Sequence, residues 1–152
     1  VYDASTGGTL LGTASSAAGT QAIVTIPQLT SGAGSVYVSV TSFGQTESAR
    51  TQAAYIAVQN SSAPSLAYIV VNNTETSKTV TVSSLAPDDY IQVYDAAAGG
   101  NLLGSATAST GSTQITVTVT QLSNSGGSIY ISDTSQGKNE SSRTQVQYAA
   151  EG

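Results

Sequence analysis

The chain has 152 residues, of which 39% are hydrophobic and only 9% charged, with a net charge of −5. Histidine and cysteine are absent, which removes the commonest general base, the thiolate nucleophile and any disulfide framework. The four basic residues, Arg50, Lys78, Lys138 and Arg143, form no patch able to displace counterions from nucleic acid, and no apolar run is long enough to span a membrane.

Two stretches of the chain repeat each other. VYDASTGGTLLG, from Val1 to Gly12, recurs as VYDAAAGGNLLG, from Val93 to Gly104, a spacing of 92. One residue enters the turn after Gly111, and Gln28 and Leu29 then match Gln121 and Leu122 at a spacing of 93. SVYVS from Ser35 matches SIYIS from Ser128, ESARTQ from Glu47 matches ESSRTQ from Glu140, and Tyr55 matches Tyr148. A period this long suits beads of one β-domain each rather than a solenoid. The expected units are 1–59, lacking a counterpart of residues 60–92, and 60–152, complete. The polar, proline-containing stretch QNSSAP at 59–64 is the expected joint.

In the complete unit the predicted strands follow in order. Residues 66–71 (LAYIVV) form an apolar first strand that Asn72 and Asn73 end. Residues 79–85 set Val80 and Val82 against Thr79 and Thr81, a period-2 alternation. Residues 86–89 (APDD) make a turn. Residues 90–94 put Ile91 and Val93 on one face, and Gly99 and Gly100 allow a sharp reversal into 102–108. Residues 113–120 alternate Ile115, Val117 and Val119. Residues 128–133 face Ile129 and Ile131 one way, the segment QGKN at 136–139 turns the chain, and 143–149 closes the unit. Seven short strands at this spacing predict an all-β fold of tandem seven-stranded Greek-key β-sandwiches, the first lacking its two N-terminal strands.

Leu122, then GSIYI from Gly127, then Gly137 and ESS from Glu140, resemble the end of a fibronectin type III domain. The leucine-to-tyrosine distance of 8 is longer than that family's, and its buried tryptophan is missing. The resemblance is therefore to fibronectin-III-like or bacterial immunoglobulin-like repeats. It implies that Tyr37 and Tyr130 are corner tyrosines whose hydroxyls bind upstream backbone, preceded by Leu29 and Leu122. More broadly the chain resembles Ser/Thr-rich tandem repeats of Gram-positive surface-layer and adhesin-type proteins. That implies an extracellular, cell-surface location and a stalk-like or adhesive role. The implied partners are neighbouring repeats, copies of the chain, or cell-wall and glycan surfaces.

Candidate chemistry is sparse. Asp88, Asp89 and Asp95 are candidate calcium ligands if their loops share one end, since calcium takes six or more oxygens; the simpler reading is turn capping and strand-end backbone bonding. Glu47 with Arg50, and Glu140 with Arg143, recur in both units. Three apart on a strand they face opposite ways, so a direct pair needs a turn or bulge; they and Phe43 are candidate inter-unit contacts. Lys78 and Lys138 are the only lysines, and an amide cross-link to an asparagine is not expected, since Gln45 replaces Lys138 in the first unit. Tyr2, Tyr94, Tyr55 and Tyr148 could stack on sugars, although their recurrence favours packing. No histidine activates a serine and no Gly-x-Ser-x-Gly elbow occurs. No cofactor or enzymatic activity is expected. A carbohydrate- or ligand-binding accessory module is the alternative. Half a sandwich leaves apolar surface and open edges, so strands like 66–71 and 79–85 are expected to complete residues 1–59, from preceding sequence or from another chain by strand donation into a filament.

Overall fold

The computed structural model describes residues 1–17, 19–27 and 29–152; Gln28 of the repeat lies outside the described residues. The chain divides into two compact units, Val1–Val58 and Gln59–Gly152. The sheets are all antiparallel, and no α-helix occurs among the described residues.

In the first unit β1 (Gly34–Val38) pairs with β2 (Thr51–Tyr55). Single bridges join Tyr2 to Leu10 and to Tyr37. In the second unit a three-stranded sheet holds β3 (Ile69–Thr74), β4 (Ser77–Ser83) and β7 (Gln114–Thr118), in the order β3-β4-β7. A four-stranded sheet holds β5 (Tyr90–Tyr94), β6 (Leu102–Thr107), β8 (Gly127–Thr134) and β9 (Thr144–Tyr148), in the order β6-β5-β8-β9.

Alternation explains the core. Val80, Val82 and Val117 from one sheet, and Ile91, Val93, Leu103, Ile129, Ile131 and Val146 from the other, form a single buried cluster. Burying each such side chain stabilises by roughly 1.5–3 kcal/mol. Two glycines bring backbone close. A Cβ on Gly104 would stand 2.3 Å from the Thr118 carbonyl oxygen, so only glycine lets β6 approach β7 there. Gly12 meets Thr25 in the same way in the first unit.

The first strand of the second unit differs from expectation. Residues Leu66–Tyr68 form a 3-10 turn, and the strand runs through both asparagines to Thr74. Asn73 does not end it because its buried amide is satisfied in place. Its Nδ2 donates to the Ser123 and Ala149 carbonyls at 3.1 and 3.0 Å, and its Oδ1 accepts from Lys78 Nζ at 2.9 Å. A buried amide with all its bonds made costs the strand little. Lys78 Nζ also reaches Glu151 Oε2 at 3.1 Å, and Asn124 takes the Glu151 backbone N–H, so the C-terminal segment is tied to β4.

Candidate functional site

What recurs between the units is a clasp of arginine, tyrosine and a Gly-Gly loop. In the second unit the Arg143 guanidinium lies 3.4 Å from the centroid of the Tyr94 ring. The same group donates to the Ala96 and Gly99 carbonyls at 2.6 and 2.7 Å. In the first unit Arg50 lies 3.3 Å from the Tyr2 centroid and donates to Ala4 and Gly7 at 2.8 and 2.6 Å. A guanidinium suits this task because its planar fork stacks on a ring while its edge donates. The loop it closes is set by an aspartate: Asp95 Oδ1 accepts the Asn101 N–H at 2.7 Å and Oδ2 its side-chain amide at 2.8 Å. Those bonds, the backbone one first, hold the Asp95 carboxyl below its ordinary range. Asp3 accepts from Thr9 at 2.6 Å. Gly100 sits beneath at φ +74°, and a Cβ there would meet Asp95 Oδ1 at 2.3 Å; Gly8 and Asp3 repeat this.

The glutamates complete the clasp in both units. Glu140 Oε1 accepts from the Tyr94 hydroxyl at 3.1 Å and from Ser132 Oγ at 2.5 Å. Burial, and then the Glu140 carboxylate, raise the Tyr94 phenol. Glu47 accepts from Ser39 at 2.5 Å and stands 4.0 Å from Arg50 Nε. That hydroxyl bond, above all, lowers the Glu47 carboxyl. Neither pair lies on a strand, since residues 47–50 and 140–143 precede β2 and β9.

The remaining sequence candidates have separate places. Tyr130 is half-buried in β8, opposite Tyr94 and Gln145. Among the described residues Tyr148 has a hydroxyl bound to upstream backbone, accepting the Ser123 N–H at 3.0 Å; its equivalent Tyr55 bonds Thr30 Oγ1 at 3.1 Å. Asp88 is 3.5 Å from Thr110 Oγ1, and Asp89 Oδ2 accepts the Ala86 N–H at 2.7 Å. Among the described residues no three acidic, histidine or cysteine side chains stand together as metal ligands. Phe43 is fully exposed.

The sequence reading missed Asp133. It follows Ile129 and Ile131 on the inward face of β8, where alternation calls for an apolar residue, and that break was the available signal. Asp133 and Asp89 are both buried, each with an unpartnered Oδ1. Burial, and then the Asp89 charge, raise the Asp133 carboxyl to about 6.

The units differ most in what equivalent apolar residues face. Leu122 is 5% exposed and Leu29 45%; Ile131 is 0% exposed and Val38 37%. Val146 is buried where Ala53 is exposed. A cleft of about 320 Å³ lined by Leu11, Leu29, Val36 and Tyr55 opens in the first unit. The equivalents Leu103, Leu122, Ile129 and Tyr148 lie in or against the core of the second.

No protein-family model matches the chain, and no curated protein matches it. Among solved structures it is similar to one described as "Biofilm associated protein - BSP domain", at 20% sequence identity and a TM-score of 0.43. The match covers 94% of this chain and 23% of that one, so the chain spans less than a quarter of that structure's length.

Proposed function

We propose that the chain is a non-catalytic structural or adhesive module of a large extracellular bacterial surface protein or fibre, built from immunoglobulin-like or fibronectin-III-like Greek-key sandwich repeats. The observation that carries this reading is the duplicated clasp. The residues that recur most closely, Tyr2 and Tyr94, Asp3 and Asp95, Arg50 and Arg143, are spent on holding loops to sheets within each unit. A repeat whose recurring residues all serve its frame is a building element. Completion of the first unit by strands from another repeat belongs to this reading.

The test is a glycan and cell-wall binding screen alongside small-angle scattering of the purified chain. Rod-like particles that bind no free glycan support the structural role. Saturable binding of one glycan would favour the second reading, a carbohydrate-binding accessory module. One observation speaks for that reading. Tyr68 is half-exposed beside a cleft of about 200 Å³ lined by Ser62, Ser65, Ser83 and Ser84, an aromatic wall among hydroxyls. Tyr68→Ala would then abolish binding.

A further inference from the structure

The inward face of β5 and β8 ends on two acids. Asp133 stands opposite Ile91 in the ladder, and Asp89 lies two residues before Ile91, in the turn that leads into β5. Both are buried, Asp89 at 3% and Asp133 at 7% exposure. Asp89 accepts the Ala108 N–H at its carbonyl and the Ala86 N–H at Oδ2, and Asp133 exchanges two bonds with Ser141. The two Oδ1 atoms are buried, and neither meets a donor from another group. The two carboxyls lie within reach of a hydrogen bond to each other. Ionised carboxylates only accept, so that bond forms only when one of the pair carries a proton.

The turn that carries Asp89 is strained. Ser84 and Asp88 have φ of 63° and 66°, and among the described residues no other non-glycine residue has positive φ. Such backbone persists only where its surroundings hold it. Here the holding bonds gather at one end of the turn. Asp88 donates to the Ala108 carbonyl at 3.1 Å, and Asp89 bonds both Ala86 and Ala108. The carboxyl of Asp89 is therefore the point at which the turn meets the end of β8.

We propose that Asp89 and Asp133 share one proton, and that the shared proton is a latch closing the strained turn at 84–88 onto the end of β8, released as the pH rises to neutrality. The groups facing Asp133 set the balance. Asp89 acts from the turn before β5 and Lys138 from the turn after β8. Tyr68 of the 3-10 turn lines the same cleft as Asp133, and Asp88 is turned toward Thr110. Lys138 is exposed and offsets only part of the repulsion, so the Asp133 carboxyl stays raised to about 6. A proton suits the pair better than a metal ion does. Calcium takes six or more oxygens. The two Oδ1 atoms are closed to solvent, and no third acid stands with them among the described residues. The latch borders the cleft lined by Ser62, Ser65, Ser83 and Ser84, so opening it moves one wall of that cleft.

The test is NMR on the full chain at pH 5 and at pH 7.5, reading amide exchange corrected for its intrinsic rate at each pH. A carboxyl that titrates near 6 in the closed turn and near 3.8 in the open one gives up roughly a tenfold preference for closure between those two conditions. The expected result is a loss of protection of roughly tenfold at the Ala86, Asp88 and Ala108 amides. The Asn101 amide, held by the Asp95 carboxylate, which is ionised at both, is the control and should not change. The carboxyl carbons of Asp89 and Asp133 should shift together in one step near pH 6, because one proton serves both. Asp133→Asn supplies a donor with no proton to lose, and should keep the turn closed at both pH values. Protection at the three amides that does not change with pH in the unaltered chain overturns the proposal. A step near pH 6 seen at Asp133 and not at Asp89 also overturns it, since the proton is then not shared. Calcium that restores protection at pH 7.5 does so too, because the pair would then be closed by a metal ion. The two readings on the unaltered chain decide the matter even where Asp133→Asn fails to fold.

Discussion

Asp133 is the residue whose chemistry is least at home in its position. It lies on the inward face of β8 beside Asp89, with Lys138 the cation acting on it. Because its carboxyl is raised to about 6 in the fold, the folded state holds a proton that the unfolded chain, with an ordinary aspartate near 3.8, has released. The sign follows directly. Below pH 3.8 the contribution of this group is fully present, and it is lost as pH rises through 6. Urea unfolding of the second unit is expected to show that loss between those values, and Asp133→Asn is expected to flatten it. Arg143 sets a second test. Arg143→Lys keeps the charge but loses the planar stack on Tyr94 that positions the two loop bonds, so it should cost about 1–2 kcal/mol. Arg143→Ala should cost about 1–3 kcal/mol, with equilibrium denaturation reading both.

At the scale of elements, the Gly-Gly loops separate two effects of one substitution. Gly99 and Gly100 both have positive φ, at 60° and 74°, but a Cβ meets nothing at Gly99 and the Asp95 carboxylate at Gly100. Gly99→Ala should therefore cost about 1 kcal/mol of backbone strain. Gly100→Ala should cost more and should also release the Asn101 N–H, which thermal melting and amide exchange would show. Alternation in the sequence located the inward residues of β4, β5, β7 and β8, because a two-residue period is a direct image of the pleat. The start of β3 was not legible in this way. Hydrophobicity alone extended the strand back over Leu66 and Tyr68, and two asparagines looked like its end. What continues the strand is a set of partners: Ser123 and Ala149, distant in sequence, and Lys78 across the hairpin. The clasp was half legible: recurrence singled out Glu47, Arg50, Glu140 and Arg143, but not that each arginine lies over a tyrosine about 50 residues upstream.

For the molecule as a whole, the bonds of Asn60 and Glu151 place the two terminal segments of the second unit. Asn60 bridges Asn139, just beyond the end of β8, and Glu151 bonds Asn124, just before its start. The two exits therefore lie at opposite ends of an eight-residue strand, some 26 Å apart at about 3.3 Å per residue. Tension applied along the polypeptide would run parallel to β8 and β9. Their ladder bonds would then be strained in shear and fail together, rather than unzip one at a time. In a pulling experiment the second unit should rupture in a single high-force step. Glu151→Ala should lower that force while leaving the equilibrium stability nearly unchanged, as a lock on the terminal segment should.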